Sequence, residues 1–222
     1  MFSRLVRWIK RICRKPSPVV TPPPIPSDIV TPVPVSNSTR QDRLLRLYDT
    51  MEVKLLGKQF ATHIDWYLNE IRNKKGFYEI VGKHAAVPWE VVGAIHGLEA
   101  SFDMNKNLMN GQPWTQRTTW VPRGHGPWSS WQEAAVAAFE LKKREGKLPT
   151  DWTLGNTLEF LLKFNGLGYE RKGQVSPYLW AYTNHYANQG GGKYVSDSKY
   201  SSTAISLQVG AALMLKELGY GK

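Results

Sequence analysis

The sequence predicts an all-α protein. Apolar residues recur every three to four positions in several separate stretches, which is the spacing of one buried helical face. These stretches are bounded by residues that favour helix ends, among them Pro88, Ser130 and Thr153. Hydrophobic residues make up 41% of the 222 residues, which is typical of a globular protein.

Residues 1–15 predict a short cationic amphipathic helix. Six of them fall on one helical face: Phe2, Leu5, Val6, Ile9, Ile12 and Cys13. Basic residues fill the rest, and such a helix lies in a membrane interface. We therefore expect an anionic membrane surface as a partner, with a basic tail of no fixed structure as the alternative. The charges interrupt every apolar run, so no cleavable secretory signal is evident.

Residues 16–39 predict a linker. Eight prolines lie between Pro16 and Pro34, among valines, serines and threonines. Such a composition gives an extended, semi-rigid spacer. Residues 40–222 are then expected to form the folded domain.

The first part of that domain predicts three helices. Residues 40–74 keep the helical period throughout, so we expect one long helix, with a possible bend at Gly57. A second helix is expected over residues 77–85. Pro88 suits the first position of a third, because its missing N–H costs nothing there.

Residues 103–129 predict an ordered loop. They are rich in asparagine, glycine and proline and have no period, but they also hold three tryptophans, in which disordered segments are poor. A connection of this length in a compact domain is usually functional or disordered. We expect it to lie over the end of the third helix, with a short β-hairpin around Thr118–Val121.

The remaining sequence predicts four more helices, for about seven in all. A capping box of Ser130 and Glu133 opens a helix that runs to about Lys143. The other three are expected from Thr153 to Phe164, from Ser176-Pro177 to about Asn184, and from Ser202 or Thr203 to Leu218. Residues 187–202 are expected to be loop.

Glu99 is the candidate for chemistry. Val91, Ile95, Leu98 and Phe102 form the buried face of the third helix, and Glu99 lies at its edge. Apolar neighbours disfavour a charged carboxylate, and an acid that keeps its proton near neutral pH can protonate a leaving group. A glutamate on a solvated edge is the alternative.

The residues around Glu99 resemble those of a lysozyme-like family of peptidoglycan-degrading enzymes from phages, prophages and bacteria. Gly97–Asp103 reads G-L-E-A-S-F-D, and an N-G-x-P loop and an R-T pair follow. Phe164–Gly166 is similar to the Y-N-A-G segment of lytic transglycosylases, and G-K-Y-V-S-D comes later. Ala100 departs from the pattern, since the family usually carries serine there, and Ser101 is the candidate to supply that hydroxyl.

The resemblance implies a lysozyme-like helical domain over residues 40–222 that cleaves the MurNAc-GlcNAc bond, in the manner of an endolysin. It implies Glu99 as the general acid and base. The residues expected to bind substrate are Ser101, Asp103, Asn110, Gly111, Arg117, Thr118, Asn165, Tyr169, Tyr178, His185 and Tyr186. We expect the last four to join Trp180 in one aromatic cluster, either along a saccharide groove or in the core.

Two reaction types remain open at this stage. Hydrolysis normally uses two carboxylates, and Asp103, one helical turn beyond Glu99, is the nearest second candidate. Lytic transglycosylases use a single glutamate, and their reaction leaves a 1,6-anhydro end on the sugar. This chain resembles them in offering one convincing glutamate. A peptide-cleaving lysin and a non-catalytic wall- or membrane-binding protein are further alternatives.

The formal charge of +11 favours an anionic partner such as a bacterial wall or an acidic membrane. Nucleic acid is not expected, because no nucleic-acid motif is evident. No cofactor or metal is expected either, since the sequence has no phosphate-binding loop, dinucleotide fingerprint or convincing ligand set. We expect the protein to act at the bacterial envelope, on the wall.

Overall fold

The protein is mostly helical in the computed structural model, which describes residues 39–196 and 199–221. In chain order the elements are α1 (Arg40–Asp49), α2 (Ala61–Asn73), α3 (Lys75–Ala85), α4 (Trp89–Ala100), α5 (Trp131–Arg144), α6 (Leu154–Asn165), a 3₁₀ turn (Glu170–Lys172), α7 (Pro177–Trp180), α8 (Asn184–Asn188), β1 (Lys193–Ser196), β2 (Lys199–Ser201) and α9 (Ala211–Glu217). The prediction of an all-α class is confirmed, although the described residues include a small antiparallel hairpin.

Helix α4 lies at the centre of the domain. Every residue from Val91 to Leu98 is buried, and a helix that is apolar all round belongs inside a core. Helices α2, α3 and α9 pack against it. Gly93 permits the approach of α2 and α3, because a Cβ there would come within 2.8 Å of Ile71 and 3.1 Å of Tyr78. The helix that carries Glu99 therefore has its position fixed from several sides.

Helix α1 packs against α6, and its first residue forms a cluster of ion pairs. The Arg40 guanidinium lies 3.0 Å from Glu170 and 3.0 Å from Glu159. Lys163 also reaches Glu159, at 2.8 Å. Thr39 caps α1, and the reciprocal bonds with Asp42 complete a capping box.

The prediction of one helix over residues 40–74 is wrong. Helix α1 ends at Asp49 and α2 begins at Ala61, and Gly57 between them has a φ of 60°. Lys54 N donates to the Tyr182 carbonyl at 2.9 Å, and Asn184 N donates to the Glu52 carbonyl at 2.9 Å. Long-range backbone pairing thus replaces the helix at this point, although the apolar period continues through it.

The predicted strand content is also misplaced. Residues 118–121 form no strand, whereas β1 and β2 pair antiparallel within the segment that was predicted to be loop. Tyr194 faces Tyr200 across this hairpin, and both rings pack on Tyr169. Aromatic cross-strand pairs of this kind stabilise short hairpins.

Several helix boundaries follow the prediction and others do not. Ser130 and Thr153 cap α5 and α6 as expected. The carboxylate of Glu133 accepts from Ser129 N rather than from Ser130 N, so the predicted box is displaced by one residue. The expected helix from Ser176 to Asn184 is divided into α7 and α8. The last helix begins after Gly210, well beyond Ser202 and Thr203.

The predicted membrane-associating helix of residues 1–15 and nearly all of the predicted linker, residues 16–38, lie outside the described residues. Among the residues that are described, none of the helices has the length and apolar character needed to cross a bilayer.

Candidate active site

The end of α4 turns sharply and fixes the position of Glu99. Ser101 and Phe102 follow the helix with φ values of 52° and 60°, in the left-handed region. The Phe102 ring folds back over the helix, so a Cβ at Gly97 would lie 2.5 Å from it. Because glycine has no side chain, Gly97 lets the Phe102 ring pack over the end of the helix. Glu99 is held in the last helical turn, next to this closure.

The Glu99 carboxyl group is half-buried and faces Tyr178. The Tyr178 hydroxyl donates a hydrogen bond of 3.1 Å to Glu99 Oε1. Burial raises the pKa of Glu99 to about 7, against the smaller opposing effects of the Tyr178 hydrogen bond and the positive charge of Lys142. An acid of this pKa holds its proton near neutral pH and can also release it.

Tyr178 is held in place by a short chain of hydrogen bonds. Ser176 caps α7, and its Oγ accepts from Tyr178 N at 3.3 Å. The same oxygen accepts from Asn165 Nδ2 at 3.2 Å. Asn165 ends α6, so three elements, α4, α6 and α7, meet at this point. The structure therefore brings two of the predicted substrate-binding residues, Asn165 and Tyr178, to the neighbourhood of Glu99.

Lys142 also belongs to this site, although no pattern in the sequence identifies it. It lies in the last turn of α5, and its ammonium group is 5.0 Å from the centre of the Phe164 ring. Its charge lowers the pKa of Glu99, so it favours the ionised carboxylate. A lysine near a helix end is common, and only the tertiary packing distinguishes this one.

The long loop packs against the end of α4. A Cβ at Gly111 would lie 3.6 Å from the Glu99 carbonyl oxygen, and the φ of 70° at Gly111 suits glycine. Asn110 beside it is buried, donates to the Trp120 carbonyl at 3.1 Å and accepts from Asn107. In this structure Asn110 supports the loop, and its contact with substrate stays a prediction.

Three further predicted residues also bond within the loop. Thr118 Oγ1 donates to the Pro122 carbonyl at 2.8 Å, and Arg117 donates to the Gly124 carbonyl at 3.1 Å. Asp103 Oδ1 accepts two bonds of 3.0 Å from Asn105, and Lys106 pairs with its other oxygen. These contacts lower the pKa of Asp103 despite some burial, so it is ionised at neutral pH.

The predicted aromatic cluster is divided among separate surroundings. Tyr186 is fully buried and its hydroxyl bonds to Gly192 and Ser206, which is the core environment given above as the alternative, and its contact with substrate stays a prediction. His185 packs on Trp180, and its Nε2 lies 2.7 Å from the Leu47 carbonyl on the α1 side. Tyr169 is buried and accepts from Tyr194 N. Of these three tyrosines and one histidine, Tyr178 is the residue that bonds to Glu99.

His96 is buried one turn before Glu99 and is neutral. Its Nδ1 lies 2.9 Å from the Tyr78 hydroxyl, and burial lowers its pKa to about 4. The rings of Trp131 and Phe102 enclose it. Within residues 39–196 and 199–221, no group of three or more metal-ligating side chains is close enough to hold an ion.

Comparison of this chain with protein-family models, with curated proteins and with solved structures finds no match.

Proposed function

We propose that this protein is a peptidoglycan-degrading enzyme, in which Glu99 is the general acid and base that cleaves the MurNAc-GlcNAc bond. One observation carries the proposal: a half-buried glutamic acid with a pKa of about 7 accepts a hydrogen bond from a buried tyrosine. The resemblance of residues 97–103, 110–113 and 164–166 to lysozyme-like enzymes supplies the substrate class. A lysozyme-like arrangement of the helices belongs to the same proposal.

The chemistry follows from one group in two protonation states. The protonated Glu99 gives its proton to the leaving glycosidic oxygen as the bond to the anomeric carbon breaks. The resulting carboxylate then takes the proton of the sugar's own 6-hydroxyl, whose oxygen closes on the anomeric carbon. The product is a 1,6-anhydro end, and Glu99 is protonated again.

The contacts of Asp103 favour this one-acid route over hydrolysis. A hydrolytic muramidase needs a second carboxylate to handle the oxocarbenium-like carbon or a water. The Asp103 carboxylate is instead engaged by Asn105 and Lys106 in its own loop. Lys142 and Tyr178 both favour the ionised form of Glu99, which assists the step in which it acts as a base.

The proposed site of action is the bacterial wall, in the manner of an endolysin. The formal charge of +11 supports attraction to an anionic envelope. Residues 1–15 are proposed to bind an anionic membrane surface, since each basic residue there contributes about 1 kcal/mol near such a surface. Pelleting of the full chain with anionic vesicles, and its release by salt, tests that part separately.

The deciding experiment is zymography on purified peptidoglycan with Glu99→Gln beside the wild type. Glutamine keeps the shape and removes the proton, so clearing should fall by about two orders of magnitude or more. Glu90→Gln is the matched control, because Glu90 is a half-buried glutamate at the other end of the same helix. Circular dichroism of each variant checks that the fold is retained.

The possible outcomes separate the proposal from its alternatives. Equal clearing by wild type and Glu99→Gln would overturn the role of Glu99. Binding to peptidoglycan without clearing by any variant would assign a non-catalytic, wall-binding function. Mass spectrometry of the released fragments then distinguishes 1,6-anhydro ends from reducing ends, which indicate a muramidase, and from free peptides, which indicate a peptide-cleaving lysin.

A further inference from the structure

A groove opens along α1 in the described part of the chain. It has a volume of about 850 Å³, and neither Glu99 nor Tyr178 lines it. One wall is α1, and the other consists of Gly173–Ser176 and Trp180. Ser176 lines the groove and also holds Tyr178, but the Glu99–Tyr178 pair itself lies outside the groove, so its occupant is a separate question.

The groove has an apolar floor and a rim of charged side chains. Leu44, Leu47 and Trp180 make an apolar floor. Of the three arginines that line the groove, Arg40 and Arg43 already pair with Glu170. The apolar floor therefore favours an occupant that is itself largely apolar and lies along α1.

We propose that residues 30–35, V-T-P-V-P-V, bind in this groove. The groove follows α1 over its whole length, from Arg40 to Thr50, and ten helical residues span about 15 Å. A polyproline II segment advances about 3.1 Å per residue, so five or six residues match that length. Valine and proline side chains suit an apolar floor with an aromatic ring, which is the usual setting for such segments.

The connection to α1 favours an occupant from the same chain. Residue 35 is separated from Arg40 only by Ser36, Asn37, Ser38 and Thr39. Serine and asparagine favour turns, and the proposed docking requires a reversal there that would direct the preceding residues back along α1. So short a connection gives an effective concentration on the order of millimolar, so a weak intrinsic affinity suffices.

Disulfide trapping in the full chain tests this docking. The native thiol is removed by Cys13→Ser, and Val33→Cys is combined with either Arg46→Cys in the groove or Lys163→Cys outside it. Lys163 is a matched control, because it is exposed and pairs with Glu159, which also holds Arg40 at the point where the chain enters α1. We expect the groove pair to form an intramolecular disulfide at least about tenfold faster.

A second comparison tests which residues are responsible. Val30→Asp with Val35→Asp should reduce the trapping rate to that of the control pair, whereas Ser27→Asp with Ser36→Asp adds the same charge outside the six residues and should not. Equal rates at Arg46→Cys and Lys163→Cys would overturn the proposal. Disulfide-linked dimers as the main product would also overturn it, because a second copy would then fill the groove.

Discussion

The Tyr178 hydroxyl lies 3.1 Å from Glu99 Oε1, although the two residues are 79 positions apart in the chain. The bond is formed by a donor that is itself buried, and the pKa of Tyr178 lies well above its usual value. Tyr178 therefore remains a donor over the whole working pH range. It stabilises the ionised form of Glu99 and holds one oxygen of the carboxyl group.

Tyr178→Phe should change the pH dependence of wall cleavage. Loss of the hydrogen bond removes a contact that lowers the pKa of Glu99, so that pKa should rise by about one to two units, since a bond to a charged group contributes about 1.5–3 kcal/mol. Activity that requires the protonated acid should then persist to higher pH, at a lower maximum. Measured pH–rate profiles check this, with Tyr48→Phe on α1 as the control, whose profile should match the wild type.

Glu99→Gln should alter how stability depends on pH. The pKa of Glu99 is about 7 in the folded protein and 4.5 in its reference state, so the folded protein holds the proton more tightly. Its contribution to stability is complete below pH 4.5 and is lost as the pH rises to 7. Glutamine does not ionise, so the variant should be more stable than wild type at pH 8, by roughly 1–3 kcal/mol.

Denaturant titrations at pH 4, 6 and 8 measure this difference. The difference in the free energy of unfolding between Glu99→Gln and wild type should decrease steadily as the pH falls from 8 to 4. A difference that is the same at all three values would mean that Glu99 is solvated like an ordinary surface glutamate.

Ser176→Ala should affect activity as well as stability. Ser176 caps α7 and bonds to Asn165, so its loss should cost about 1 kcal/mol and loosen Tyr178. Ser130→Ala removes the cap of α5 and should cost a similar amount, but it leaves α7 unchanged. We expect a lower kcat only in Ser176→Ala. Equal activity of the two variants would show that the position of Tyr178 does not depend on its cap.

Gly97→Ala should disturb the end of α4. The new methyl group would lie 2.5 Å from the ring of Phe102, a residue whose φ is already in the left-handed region at 60°. A forced shift of this kind costs about 1–3 kcal/mol, and it should also lower activity because Glu99 is two residues away. Gly76→Ala is the control: its Cβ meets open space on α3, so thermal unfolding should show no loss of stability.

The helix that carries Glu99 was predictable because its information is local. Pro88 before the helix and the apolar period through Leu98 are both readable in the sequence, and α4 begins and ends close to the predicted limits. The break between α1 and α2 was not predictable in the same way. Lys54 and Asn184 bond to residues more than 120 positions away, and such pairing leaves no periodic signal.

The residues of the candidate site also differ in whether local sequence or tertiary packing reveals them. Glu99 was identified from its flanking residues, whereas the contribution of Lys142 depends on how α5 packs. Tyr178 and Tyr186 are tyrosines eight positions apart in the same predicted aromatic cluster. One bonds to Glu99 and the other is enclosed in the core, and only the tertiary structure separates them.

The ion pairs of Arg40 also determine how the domain responds to a mechanical pull. Force applied from the N-terminal side of the chain enters the described domain at Thr39 and Arg40. Arg40 is held there by Glu159 on α6 and by Glu170 in the 3₁₀ turn. The load is thus borne first by a junction that includes neither Glu99 nor Tyr178. Under the proposed function, a pull from the N-terminal side would load this junction before it reaches the hydrogen bond between Tyr178 and Glu99.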